Sequence, residues 1–137
     1  MDDPELDIRF YQRFVEKCDV RHQAISGVLH RFASGEIIGS VVVDAIAAEL
    51  HTMAGEAALL GLGQVARIAQ LFQLHLEAPY PSPERLDGAK VAALSERLSR
   101  IAKRRAVASR DGKIGTRDED VALLAKELAR GLRVPSG

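Results

Sequence analysis

The sequence predicts an all-α fold, an antiparallel bundle of about five helices, on three observations. Aromatic side chains make up 4% of the chain with no Trp, and β-branched runs are nearly absent outside Val41-Val42-Val43, a composition that favours helix over sheet. Apolar residues recur at spacings of three and four through successive stretches, the period of one helical face. Between those stretches stand Gly, Pro and Ser signals that stop one helix and start the next.

The first helix is expected from about Pro4, which suits a first turn, to about Ala33. Its stripe is Ile8, Tyr11, Phe14, Val15, Ile25, Val28, Leu29 and Phe32, with a break expected near Asp19. Ser34-Gly35 closes it, and Ser40 is the expected N-cap of a second helix from about Val41 to Leu60. There Val43, Ile46, Leu50, Met53, Ala57 and Leu60 form the clearest stripe of the chain. Gly61-Leu62-Gly63 ends it. A third helix, about Gly63 to Glu77, turns Val65, Ile68, Ala69, Phe72 and Leu76 inward, and Pro79-Tyr80-Pro81-Ser82-Pro83 is a connector no helix crosses. A fourth runs from about Pro83 or Glu84 to Ser109 with Val91, Leu94, Leu98 and Ile101. Asp111-Gly112-Lys113-Ile114-Gly115 reads as a turn, and Thr116 as the N-cap of a fifth helix carrying Val121, Leu124, Leu128 and Leu132. No internal repeat or low-complexity tract interrupts the pattern.

At 137 residues and 47% hydrophobic content, residues 1–137 are expected to form one domain with a real core. Lys and Arg number 19 and Asp and Glu 19, so no nucleic-acid footprint is indicated. The balance conceals a gradient: through Arg67 six basic and ten acidic residues give minus four, and from Ile68 thirteen and nine give plus four. Part of the basic excess lies in Arg97 to Arg105, which reads as a solvated helix face. The lone Cys18 has no disulfide partner and reads as a small buried hydrophobe, in keeping with a reducing cytoplasm. The acidic opening Met1-Asp2-Asp3-Pro4-Glu5 predicts no signal peptide, and no stretch approaches a membrane span.

The informative residue is His51. At minus four, minus three, plus three, plus four and plus seven from it stand Ala47, Ala48, Ala54, Gly55 and Ala58, all very small. An imidazole among such neighbours stands clear, with room for another protein's backbone. Gly55 is the sharpest sign, because a glycine inside a helix costs about 0.5–1 kcal/mol relative to Ala. Neutral imidazole has a ring nitrogen that is nucleophilic near pH 7, and its phosphoramidate passes the group onward where a Ser or Thr ester would hold it. Phosphoryl transfer needs charge neutralisation, yet the chain has neither a phosphate-cradling Gly-rich loop nor clustered carboxylates for a metal. His22, His30 and His75 lack the spacing of a helical metal pair.

The stretch His51-Thr52-Met53-Ala54-Gly55-Glu56-Ala57 followed by Leu60-Gly61-Leu62 resembles the phosphorylation-site helix of histidine-phosphotransfer (HPt) domains. That family's pattern is His-x-hydrophobic-Lys-Gly-small-small, then hydrophobic-Gly-hydrophobic. At motif level the resemblance covers about residues 40 to 77. It implies a four-helix core and phosphoryl exchange between His51 and an aspartate of a receiver domain, with no ATP site on this chain and Mg²⁺ supplied by the receiver. It implies further that Gln70 and Gln73 lie beside the imidazole, Gln73 orienting the ring by hydrogen bond. Glu is usual there in chemotaxis kinases, so Gln73 is more similar to domains attached to hybrid sensor kinases.

Two departures bear on activity. Glu56 stands where the family prefers a small residue, and Ala54 where it usually has Lys. The second leaves three alternatives: slower transfer, replacement by Arg67, Lys103 or Arg104, or a relative that does not transfer. The expected role is a cytoplasmic, monomeric phosphoryl carrier acting with a receiver domain, a histidine kinase or both, without a cofactor or metal of its own. The alternatives are a docking bundle without chemistry and the phosphotransfer domain of a chemotaxis-type kinase.

Overall fold

A computed structural model describes residues 4–113 and 118–135, with side chains from residue 8 onward. Five α-helices follow in order: α1 (Pro4–Ala33), α2 (Gly39–Leu59), α3 (Gly63–Leu76), α4 (Gly88–Arg110) and α5 (Glu119–Ala129). Helix α1 runs unbroken through Asp19. The apolar spacing resumes beyond that residue, and its carboxylate is held from outside by Lys103 Nζ of α4 at 2.8 Å.

Polar contacts between helices set their directions. Tyr11 Oη donates to the Leu60 carbonyl, and Arg21 meets Glu49 and Glu56, so α1 and α2 are antiparallel. Tyr11 also pairs with Ser109 and His22 with Ser95, which makes α4 antiparallel to α1. The chain turns sharply between α2 and α3: Leu62 N–H donates to Ala57 O and Gly61 N–H to Ala58 O, with Gly61 at φ 75°. This is the closure that glycine makes cheap past a helix end. Helix α5 departs from the expected antiparallel order. Asp118 N–H donates to Gln64 Oε1 at the start of α3, and Arg133, beyond α5, donates to the Leu76 and Ala78 carbonyls at its end. Helix α5 therefore runs beside α3 in the same direction.

Three helix starts differ from expectation. Ser40 is not an N-cap, because α2 begins two residues earlier than expected, at Gly39 after Ile38, which makes no side-chain cap. The cap comes from elsewhere in the chain, Glu84 Oε1 accepting from Gly39 N–H at 2.7 Å. Pro83–Arg85 form a separate 3-10 turn, and α4 starts only after Asp87, whose carboxylate accepts from Lys90 N–H. Leu86 is extended between the two (φ −54°, ψ 129°) and bridges to Arg133 of the tail, so two starts replace one. Thr116 lies outside the described residues; the cap seen on α5 is Asp118.

The core joins Phe72, Ile46, Leu50, Ile68, Leu98, Leu124 and Leu128, all fully buried. Ile8, expected inward, is 43% exposed. Leu132 is buried although it follows the end of α5, and the tail holds it there: Asp87 N–H donates to its carbonyl and Val134 N–H to that of Arg85. Among the described residues no helix is long and apolar enough to cross a membrane.

At the start of α2 the backbone packs on the 3-10 turn so closely that a Cβ at Gly39 would lie 2.4 Å from Pro83 O. Neither backbone yields cheaply. Gly39→Ala should therefore cost about 1–3 kcal/mol in denaturant unfolding, whereas Gly35→Ala, with open space but a positive φ, should cost less.

Candidate functional site

The seam of α2 determines where His51 points. Val43, Ile46, Leu50, Met53 and Ala57 are buried as expected and Leu60 half-buried, while His51, about 100° round the helix from Leu50, is exposed. The small-residue strip divides. Ala48, Gly55 and Ala58 are exposed, but Ala47 and Ala54 are only 7% and 3% exposed and so lie inside the bundle. This corrects the expectation that all five form an accessible docking strip. Minus four and plus three from His51 fall on the side that rolls toward Leu50, minus three and plus four on the side that rolls away.

At Gly55 a Cβ would meet nothing within 4 Å. The fold does not need that glycine for its own packing. Gly27, also exposed within a helix, is equally open and has the exposed His30 three residues on, so what singles out Gly55 is the motif running from His51 to Leu62.

Other exposed side chains frame His51. Asp44, two turns earlier, shares its line with Ala58, and Val41, Ala48, Gly55 and Leu59 form the line beside it. Leu59 is 89% exposed, and Leu74 on α3 67%. Sequence reading passed over these apolar residues, although both fall off the three-four stripe of their helix, which is the signal that marks them.

Helix α3 stands across the turn. His51 is eight residues before Leu59 and Gln70 seven after Gly63, so at about 1.5 Å per residue the two are level. Gln70 is exposed and Gln73 half-buried. Neither is hydrogen-bonded to the imidazole as expected: Gln73 Nε2 donates to Glu77 Oε1 at 2.6 Å. A carboxylate can only accept, so this contact assigns the amide nitrogen of Gln73 to Glu77 and leaves its Oε1 available.

The cations proposed to stand in for a lysine at position 54 separate clearly. Lys103 is engaged by Asp19, and Arg104 by Asp118 and Asp120, and α4, which carries both, packs on α1, α3 and α5 rather than α2. They do not serve. Arg67 is exposed on α3. Glu49 and Glu56 are gripped from α1: Arg21 Nη2 is 2.7 Å from Glu56 Oε1 and its Nε 3.7 Å from Glu49 Oε2, with Lys17 Nζ 3.2 Å from Glu56. Arg21 is buried, and its Nη1 has no partner among the described residues. Partial burial pushes the Glu56 carboxyl up, but the hydrogen bonds from Arg21 and Lys17 outweigh it and hold it below the usual range. Burial pushes the Cys18 thiol up to about 12, which fits an inert packing residue. Among the described residues no three His, Cys, Asp or Glu side chains are grouped to hold a metal ion.

A carboxyl whose pKa is depressed on folding contributes stability above its unfolded pKa and loses it as pH falls through the folded value. Glu56→Gln should lower stability at neutral pH and shrink the further loss below about pH 5, as read from urea unfolding across pH. Gly27→Ala and Gly55→Ala should each raise stability by about 0.5–1 kcal/mol, since neither new methyl group meets an obstacle. Thermal melts check both.

Comparison with known proteins extends the likeness well past the α2 motif. No curated protein and no solved structure matches the chain. The Hpt domain family, however, matches residues 9–104, which is α1 through most of α4 and leaves α5 outside. With the helical bundle and the exposed His51 on its second helix, that match over more than half of the chain places it: the protein belongs to the Hpt domain family, the histidine-phosphotransfer modules of two-component signalling.

Proposed function

We propose that the protein carries a phosphoryl group on His51, exchanging it with the aspartate of a receiver domain. Hpt domains work with receiver domains and kinases in phosphorelays, and the observation that carries the reading here is the pairing of His51 with Gly55. Both are exposed one turn apart, and Gly55 keeps open a space that the bundle itself does not use. A glycine that weakens its helix without easing any internal contact is accounted for by a partner that approaches the imidazole closely.

In the proposed transfer the ring-nitrogen lone pair forms the N–P bond as the P–O bond to the donor aspartyl group breaks. The carboxylate leaves with that bond's electrons, and the return step reverses each event. The proton on the other ring nitrogen stays in place. Gln73 is suited to hold it, because Glu77 occupies the amide nitrogen and leaves Oε1 as the acceptor. Mg²⁺ is proposed to come with the receiver domain, where phosphoryl transfer needs its charge. Val41, Leu59 and Leu74 supply apolar contact around the nucleophile, with Ala48 and Ala58 keeping the surface low.

Mixing the protein with phosphorylated receiver domains should give an acid-labile, base-stable label on His51 that His51→Gln abolishes. A His51→Gln protein labelled as strongly, or no label from any cognate receiver or kinase, would leave a docking bundle without chemistry as the better account. Gly55→Leu should stay folded yet slow transfer by at least tenfold, an effect of about 1.4 kcal/mol or more. Gly27→Leu, an equally open helical glycine away from His51, should transfer normally.

A further inference from the structure

We propose that Arg67 provides the positive charge of the acceptor site, drawing the incoming phosphoryl group toward His51; this rests on the carrier reading above. The surroundings of His51 are acidic. Asp44 lies two turns before it on the same line, Glu49 and Glu56 stand on the same helix, and Glu77 closes α3. A phosphoryl group bears negative charge on its equatorial oxygens throughout transfer, so an uncompensated acidic face repels it.

The cations near α2 are largely committed. Lys17 and Arg21 are held by Glu56 and Glu49 on the α1 side of the helix. Their pairing cancels two of the carboxylates, while Asp44 and Glu77 form no ion pair among the described residues. Lys103 and Arg104 are bound to Asp19, Asp118 and Asp120. Helix α3 carries a single Lys or Arg, Arg67. It is exposed, and it forms no ion pair or hydrogen bond among the described residues.

Its level along the bundle is the right one. Ala54 lies five residues before the end of α2 and Arg67 four after the start of α3, so each is about 6–8 Å along its helix from the connecting turn. Arg67 is thus level with Ala54 along the bundle, about one turn nearer the connection than His51, and shares its exposed face with Gln70 and Leu74. Ala54 is 3% exposed, so a charge at that position would have to climb out of the core, whereas Arg67 starts from the surface.

The test uses potassium phosphoramidate as the donor, which removes any effect of Arg67 on a partner protein. The N–P bond to His51 forms as the reagent's own P–N bond breaks and ammonia leaves with a proton. Arg67→Gln should slow labelling of His51 by about threefold to tenfold at low ionic strength, the gap closing at about 0.5 M salt, while Arg67→Lys retains most of the rate. A merely structural role would not produce that salt dependence, and circular dichroism confirms folding of the exposed-site variants. Equal rates for Arg67→Gln and the unmodified protein, a salt-independent difference, or no labelling of His51 would overturn the inference. Failure of the carrier reading shows separately, as a protein that phosphoramidate labels but no phosphorylated receiver does.

Discussion

The rotation of α2 about its own axis is the constraint on which the rest depends, and two adjoining contacts set it. On one side the seam through Val43, Ile46, Leu50, Met53 and Ala57 is buried in the core. On another, Arg21 reaches from α1 to hold Glu49 and Glu56, two turns apart on the helix. A helix so held cannot turn without exposing the seam or leaving a buried guanidinium unpaired, and the latter is the costlier fault. His51 is exposed because it lies on the side of the helix turned away from both contacts. The same rotation takes Ala47 and Ala54 inward and leaves Ala48, Gly55 and Ala58 in solvent.

The electrostatics of the bundle follow from where its cations are spent. Four basic side chains near the middle of the structure are consumed within it: Lys17 and Arg21 on the acidic residues of α2, Lys103 on Asp19, and Arg104 on the residues that open α5. The Arg104 contact holds the Asp118 carboxyl below its usual range against the partial burial that would raise it. Basic residues that look available in a linear reading are therefore fasteners between helices.

The part of the chain beyond the family match has a definite structural task. Helix α5 lies along α3, tied at its start by Gln64 and at its end by Arg133, whose guanidinium takes up the carbonyls left over where α3 stops. Those carbonyls would otherwise lack partners, as the last turn of any helix does. The tail also joins the 3-10 turn that caps α2 through Glu84 and packs against Gly39. The two helices that face each other across the site are thus held from the same C-terminal segment.

Much of this was legible in the residues alone. The three-four spacing identifies five helices and their buried faces, because burial on a helix has a period that a sequence displays. Gly35 and Gly61 mark helix ends, since the left-handed turn past a helix favours a residue without a side chain. His51 beside Gly55 marks the proposed site for the same kind of local reason. What the residues could not decide were matters of partner choice across the chain: that Glu84 rather than Ser40 caps α2, that α5 runs parallel to α3, that Gln73 is turned to Glu77, and that Ala54 faces the core. Each of these depends on which distant atom satisfies a polar group or fills a space. Local periodicity carries no information about that, and only packing the helices together decides it.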